Sequence, residues 1–282
     1  MLTITTVAGV RARREEAGRT GLRIALVPTM GALHDGHLAL VRRGRELADE
    51  VWASVFVNPA QFAPGEDFAR YPRDLERDRD QLAAVGASVL FAPATKEIFP
   101  RPPGTVIDLP ALTAGLCGAQ RPGHFRGVAL VVAKLFNIVQ PHVAVFGAKD
   151  WQQAAVIRRM AADLDFPVRI EVHATVREEN GLARSSRNAY LTPEARRAAA
   201  VLHRALQRAA AAVAAGERCG AALEALLAGE VGGEPMARLE YAAAVDPDTL
   251  EPLGVAGGRV LLALAAHVGG TRLIDNEVVE VP

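Results

Sequence analysis

Pro28-Thr29-Met30-Gly31-Ala32-Leu33-His34-Asp35-Gly36-His37 is the stretch on which the reading of this chain turns. Before it lies an apolar run of strand character, residues 22–28, and from 36 to 48 the apolar positions recur at helical period. The stretch is therefore a junction of strand, turn and helix. Gly31 and Gly36 permit a tight turn and close approach of a ligand. A helix entered in this way offers unpaired backbone N–H groups and the positive end of its dipole, which suits an anion. His34 and His37, three residues apart, can donate to one phosphate chain. Taken alone, such a pair is more often two polar histidines in a turn of Gly and Asp. Its place at the exit of a strand favours the ligand reading.

Outward from the junction, the first two-thirds of the chain alternates β-rich runs with helical stretches. Strands are expected near 22–28, 51–57, 88–91, 143–146 and 168–175, and helices near 36–48, 73–85, 125–139 and 150–164. Asp150 reads as the N-cap of the last of these helices. This alternation predicts an α/β fold, a Rossmann-like parallel sheet with helices on both faces, in which ligands bind beyond the carboxyl ends of the strands at the switch point. From Thr192 the texture becomes alanine-rich, with one helix expected to about Ala215 and a second over 221–227. Strand-like runs at 239–245, 259–266 and 271–274 complete a smaller C-terminal α+β domain. The boundary is expected at 187/188, with the smaller domain acting as a lid. Residues 93–110, rich in proline and glycine, read as a surface loop with one short strand.

Composition narrows the function. With 282 residues, half of them hydrophobic, and 32 cationic against 32 anionic side chains, the chain can bury a core and has no global attraction to polyanions. No nucleic-acid partner is expected. The two cysteines, Cys117 and Cys219, make neither a disulfide framework nor a metal knuckle, which fits a reducing cytosol. The apolar stretch 1–10 precedes Arg11, Arg13 and Arg14, the reverse of a secretory signal, and the run 128–139 is broken by Lys134 and Asn137. A soluble protein without membrane contact is expected. Only Lys96, Lys134 and Lys149 are lysines among the 32 cations, so a compact ammonium at 149, just past a strand, stands out.

HxGH at a strand exit resembles the nucleotidyltransferases that act on the α-phosphate of ATP, and the ten-residue form here resembles the pantothenate synthetase family. Four further segments resemble that family in the same order: Phe56-Val57-Asn58-Pro59-Ala60-Gln61-Phe62, Arg121-Pro122-Gly123-His124-Phe125-Arg126-Gly127, Gly147-Ala148-Lys149-Asp150-Trp151-Gln152-Gln153 and Arg184-Ser185-Ser186-Arg187-Asn188. The resemblance implies a ligase of pantothenate biosynthesis in which (R)-pantoate and ATP give pantoyl adenylate and pyrophosphate, and β-alanine then displaces AMP. It implies ATP as co-substrate, Mg²⁺ as cofactor, and a cytoplasmic homodimer.

Site residues follow from the same resemblance. His34, His37, Lys149 and Arg187 are the expected catalytic groups, with His37 the family's proton donor. Because a carboxylate nucleophile needs no base, stabilisation of phosphate charge is the safer physical role for the histidines. ATP contacts map onto Met30, Gly31, Ala32, Leu33, His34, Asp35, Gly36, His37, Gly147, Ala148, Lys149, Asp150, Val176, Arg184, Ser185, Ser186 and Arg187. Ser185 to Arg187 are expected as a flexible loop able to close over the phosphates. Gln61 and Gln153 are the pantoate candidates, since a neutral amide holds a carboxylate without quenching its reactivity as a cation would. Gln61 is also placed near β-alanine, and Asp78 is expected as the Mg²⁺ ligand, although its neighbours Asp74, Glu76 and Asp80 alternate with arginines as on a solvated helix face. Arg121, His124 and Arg126 supply cations whose roles stay open.

Departures from the family pattern are Ala148 where glutamate is more usual, Trp151 where tyrosine or phenylalanine is, and Cys117 where glutamate often stands. None removes an assigned chemical group. A different HxGH nucleotidyltransferase, acting on a phosphorylated acceptor, is the alternative enzyme, but such chains are usually shorter and lack the C-terminal domain. A dinucleotide-binding module would want G-x-G-x-x-G after the first strand, which is absent here.

Overall fold

The computed structural model describes residues 1–63 and 65–282. In chain order the elements are β1 (Leu2–Ile4), α1 (Val7–Arg19), β2 (Ile24–Thr29), α2 (Asp35–Leu47), β3 (Glu50–Val55), α3 (Leu75–Ala84) and β4 (Val89–Phe91). There follow α4 (Thr95–Ile98), α5 (Pro110–Thr113), α6 (Leu116–Gln120), α7 (His124–Val139), β5 (Val143–Gly147), α8 (Trp151–Asp163) and β6 (Arg169–His173). The remainder is α9 (Pro193–Ala198), α10 (Val201–Ala214), α11 (Gly220–Gly232), β7 (Ala237–Val245), β8 (Arg259–Val268) and β9 (Thr271–Glu280). Short 3₁₀ turns lie at Pro59–Gln61, Ala148–Asp150 and Ser186–Tyr190.

Two compact units emerge, each assembled from separated segments. The first comprises Met1–Leu109, Arg121–Gly147 and Val156–Ala174, and the second Pro110–Gln120, Ala148–Ala155 and Thr175–Pro282. The division differs from a single cut at 187/188, and side-chain anchors explain why. Arg177 pairs with Asp275 at 2.6 Å and Glu178 with Arg196 at 2.8 Å, which ties 175–187 to the C-terminal elements. Gln152 donates to the carbonyls of Leu112 and Gly115, which ties 110–115 to the start of α8.

In the first unit all the strands run parallel, in the order β1-β4-β3-β2-β5-β6. Side chains alternate across the sheet. Ala25, Val27, Val51, Ala53, Leu90, Val143 and Val145 face one way, onto Leu40 and Val41 of α2 and Leu82 of α3. Ile24, Leu26, Trp52 and Phe91 occupy the alternate positions and are buried as well, with α7 packed on β2 and α1 on α7. Both faces are thus covered, as the Rossmann-like reading requires, and this explains why the strands read as continuous apolar runs. Sequence order reverses between β2 and β5, so the switch point lies at the strand ends that carry 30–37 and 147–150.

In the second unit, β7-β8-β9 form an antiparallel sheet. Val260, Leu262, Leu264, Ala266 and Val268 of β8 pack against Leu202, Leu206, Ala209 and Val213 of α10 and Leu223, Leu227 and Val231 of α11. Each such large aliphatic side chain contributes about 1.5–3 kcal/mol on burial.

Several local expectations change. β1 and α1 precede the strand read as first, which makes that strand β2. The alanine-rich helix is two helices, α9 and α10, broken at Ala199 and Ala200; nothing in the structure explains the break. Residues 93–110 hold the short helix α4 and the start of α5, not a strand. Helix α11 runs five residues past the expected end, to Gly232. Among the described residues no helix is long and apolar enough to cross a membrane.

Candidate active site

The loop leaving β2 is built to hold an unusual backbone. Gly31 has φ +83° and Ala32 φ +50°, left-handed conformations that L side chains rarely adopt. A Cβ at Gly31 would lie 2.8 Å from Asp78 Oδ2 and 3.0 Å from Val55, so only glycine fits the gap. Thr29 Oγ1 donates to the Ser54 carbonyl at 2.7 Å and accepts from the Gly31 N–H at 3.2 Å. Asp78 accepts from the N–H groups of Ala32 (3.0 Å) and Leu33 (2.8 Å), one on each carboxylate oxygen.

Asp78 is only 1% exposed. Burial pushes its carboxyl above the usual range, against the pull of the Leu33 and Ala32 N–H groups. The residue expected to ligate Mg²⁺ is therefore, in this arrangement, a brace under the loop. Among the described residues no group of three or more His, Cys, Asp or Glu could hold a metal ion. Asp78→Ala is expected to strand two N–H groups and lower stability by about 2–4 kcal/mol, at roughly 1–3 kcal/mol for each unsatisfied group with partial rescue by water. Urea unfolding with unchanged m-value checks this.

The loop delivers its histidines to the first turn of α2. His34 is the N-cap: its carbonyl accepts from the N–H groups of His37 and Leu38, and its Nδ1 accepts from the Gly36 N–H at 3.1 Å. Because Nδ1 accepts, the proton of neutral His34 sits on Nε2, leaving that nitrogen as the donor. The two imidazole centroids are 4.0 Å apart, with the rings inclined by 33°. The expected pair is thus together, at the positive end of a helix dipole.

Gln61, 8% exposed, ends the 3₁₀ turn after β3. Its amide orientation is fixed by a chain of backbone contacts. Asn58 Oδ1 accepts from the Ala60 N–H and Asn58 Nδ2 donates to the Gly127 carbonyl at 3.0 Å, so Nδ2 also donates to Gln61 Oε1, at 3.1 Å. The NH₂ end of Gln61 points to Met30 Sδ at 2.8 Å. Gln61 is thereby presented as a donor beside the loop from Met30.

Other expected residues lie in the second unit. Lys149 stands in the 3₁₀ turn Ala148–Asp150, its Nζ at 4.0 Å from Asp150 and its carbonyl held by Asn276 Nδ2 at 2.6 Å. Asn276 follows Asp275, whose carboxylate takes both Nη atoms of Arg177, at 2.6 and 3.1 Å. The Arg184 N–H donates to the Val176 carbonyl at 2.9 Å, which brings those two together across a turn. Ser185 caps the 3₁₀ turn Ser186–Tyr190 by accepting from the Arg187 N–H. The expected flexible loop is therefore a short 3₁₀ helix, anchored through Asn188 Nδ2 to Glu178 and to the Ala183 carbonyl. Gln153 is half-buried in the first turn of α8, which follows directly on the 3₁₀ turn that Asp150 ends.

Sequence reading missed Asn58, Gln152, Arg177, Glu178 and Asp275, which hold this machinery in place. Asn58 and Gln152 lie inside motifs already quoted, but a polar residue that orients a neighbour looks no different from one that meets a ligand. The departures are absorbed: Trp151 Nε1 donates to the Pro247 carbonyl, and Arg272, near Cys117 at 3.5 Å, takes its carboxylate from Glu240.

Comparison with known proteins is consistent over the full length. The model for the family described as pantoate-beta-alanine ligase matches residues 2–278. A pantothenate synthetase of Moorella thermoacetica is 56% identical over 281 residues, covering all of this chain and 99% of its own. The crystal structure of pantothenate synthetase from Thermus thermophilus superimposes with a TM-score of 0.92 at 48% identity, covering 98% of this chain and 99% of that one. A pantoate-beta-alanine ligase from Francisella tularensis, complexed with beta-gamma ATP and beta-alanine, gives a TM-score of 0.80 at 30% identity, covering 99% and 97%.

Proposed function

The chain belongs to the pantoate-beta-alanine ligase family, and on that premise we propose how its residues carry the ATP-dependent condensation of (R)-pantoate with β-alanine. A carboxylate oxygen of pantoate attacks the α-phosphorus of ATP. The bond to the bridging oxygen breaks, pyrophosphate leaves, and pantoyl adenylate forms. The amine of β-alanine then attacks the pantoyl carbonyl, AMP departs with the C–O electron pair, and the ammonium proton is lost to solvent.

The first step gathers negative charge on the transferring and departing phosphates, so it calls for oriented donors rather than a covalent nucleophile. The observation that carries this reading is the pair His34 and His37, 4.0 Å apart at the opening of α2 on a braced loop. Both donate to the phosphates, with Nε2–H the donor on His34. Lys149 and Arg187 add cations to the triphosphate, alongside the ATP contacts of Gly147 to Asp150, Val176 and Arg184 to Ser186. Gln61 and Gln153 hold pantoate, and Gln61 also meets β-alanine. Mg²⁺ would supply counter-charge to the triphosphate; Asp78, almost unexposed and engaged by two backbone N–H groups, does not fit as its ligand in this arrangement. A cytoplasmic homodimer belongs to the same reading, as what the resemblance implies.

The test is positional isotope exchange in ATP labelled at the α,β-bridge, whose oxygen becomes equivalent to the β non-bridging oxygens once pyrophosphate is released. Scrambling that requires pantoate but proceeds without β-alanine supports a discrete adenylate. Scrambling only with β-alanine, or no pantothenate and AMP from the three substrates, overturns the reading.

A further inference from the structure

We propose that Arg121 and His124 are positioning residues that set the backbone of Gln61, and through it the affinity for the two substrates Gln61 holds. The proposal rests on the substrate role of Gln61 given above. Gln61 closes a 3₁₀ turn of only three residues, and on its N-terminal side its N–H reaches the Asn58 carbonyl at a long 3.4 Å. On the other side its carbonyl is gripped: His124 Nδ1 lies at 2.7 Å and Arg121 Nη2 at 3.4 Å. The short contact is the one that fixes the peptide plane from which the side chain projects.

The chemistry of this contact has one solution. A carbonyl only accepts, so His124 Nδ1 carries the proton. A guanidinium only donates, so His124 Nε2, 3.1 Å from Arg121 Nη1, accepts. His124 is thereby held as the neutral Nδ1–H tautomer, a rigid spacer whose donor faces the Gln61 carbonyl.

Arg121 is locked in turn. Its Nε and Nη2 each lie 2.7 Å from an oxygen of Glu66, a bidentate pair with the Arg121 side chain 14% exposed. Burial pushes the Glu66 carboxyl up, but the Arg121 bonds and charge pull it further down, so it stays ionised as a partner. His124 is the first residue of α7, entered through Gly123 at φ +82°, which gives the ring a fixed base. Glu66, Arg121, His124 and the Gln61 carbonyl thus form one chain of donors and acceptors.

Three variants at one position test this, with KM for pantoate, β-alanine and ATP measured beside the thermal midpoint. His124→Leu removes both ring nitrogens and is expected to raise KM for pantoate and β-alanine about tenfold, the upper range for one lost hydrogen bond, with KM for ATP unchanged. His124→Asn places an amide nitrogen where Nδ1 was and is expected to restore most of that loss. His124→Gln places its amide nitrogen where Nε2 was and is expected not to. Rescue by Gln instead of Asn would mean that Nε2 meets a substrate directly, and would overturn the proposal. Equal rises in all three KM values, or a fall in kcat alone, would overturn it too. Should His124→Leu fail to fold, the Asn and Gln pair still decides. Wild-type protein lacking pantoate-dependent isotope exchange would instead remove the reading of the reaction on which this rests.

Discussion

His37→Ala is expected to keep the wild-type thermal midpoint while forming pantoyl adenylate about 10²- to 10³-fold more slowly, the cost of one preorganised donor aimed at developing charge. The separation of folding from rate follows from the local geometry. His34, not His37, is the N-cap that receives the Gly36 N–H, so truncating His37 leaves the cap, the Asp78 brace and the start of α2 in place. Because the lost interaction belongs to the transition state, kcat should fall with little change in KM for ATP. Single-turnover adenylate formation in a rapid quench instrument reads the step directly. Lys149→Ala should behave alike, since Asn276 holds the carbonyl of residue 149 whatever its side chain. Folded variants with wild-type rates would remove both residues from the chemistry.

Gly127→Ala is expected to damage stability and substrate binding together. A Cβ at 127 would fall 2.1 Å from the Ala60 oxygen, 2.4 Å from the Ala60 carbonyl carbon and 2.7 Å from the Gln61 nitrogen, all of them backbone atoms. No rotamer change relieves such a clash; α7 and the turn Pro59–Gln61 must separate. Alanine gains about 1 kcal/mol of helix propensity over glycine. Overpacking costs about 1–3 kcal/mol, and more where backbone must move. With a contact this short the clash wins, and a net loss of about 2 kcal/mol is expected in urea unfolding. Displacing the turn also displaces Gln61 and stretches the bond from Asn58 to the Gly127 carbonyl. KM for pantoate should therefore rise by more than KM for ATP. Wild-type stability and kinetics in this variant would mean that the turn yields freely and does not position Gln61.

Legibility followed length and locality. β2 to β5 were readable because each is a run of mainly buried residues bounded by helical stretches, whereas β1 is three residues long and largely exposed, with nothing periodic to detect. α1 was missed because its sequence, VAGVRARREEAGR, buries only Val10 and Ala17 and leaves no apolar stripe. The HxGH loop was legible because its parts are contiguous. The bracing contacts of Asp78 were not legible, because its neighbours alternate in charge as on a solvated helix face, and only the fold shows that it turns inward while Asp74, Glu76 and Asp80 do not.

The sequence by itself determined the alternation that makes a covered parallel sheet, the switch-point loops, and the family whose motifs they carry, since all of these are written within a few residues of one another. Only the tertiary structure decided which polar groups serve one another: Asp78 beneath a loop 45 residues away, His124 on a carbonyl 63 residues away, Arg177 on Asp275 at a separation of 98. The physical reason is that hydropathy periodicity records which face of an element is buried. A hydrogen bond instead depends on the direction of individual lone pairs and N–H groups, fixed only when distant segments pack.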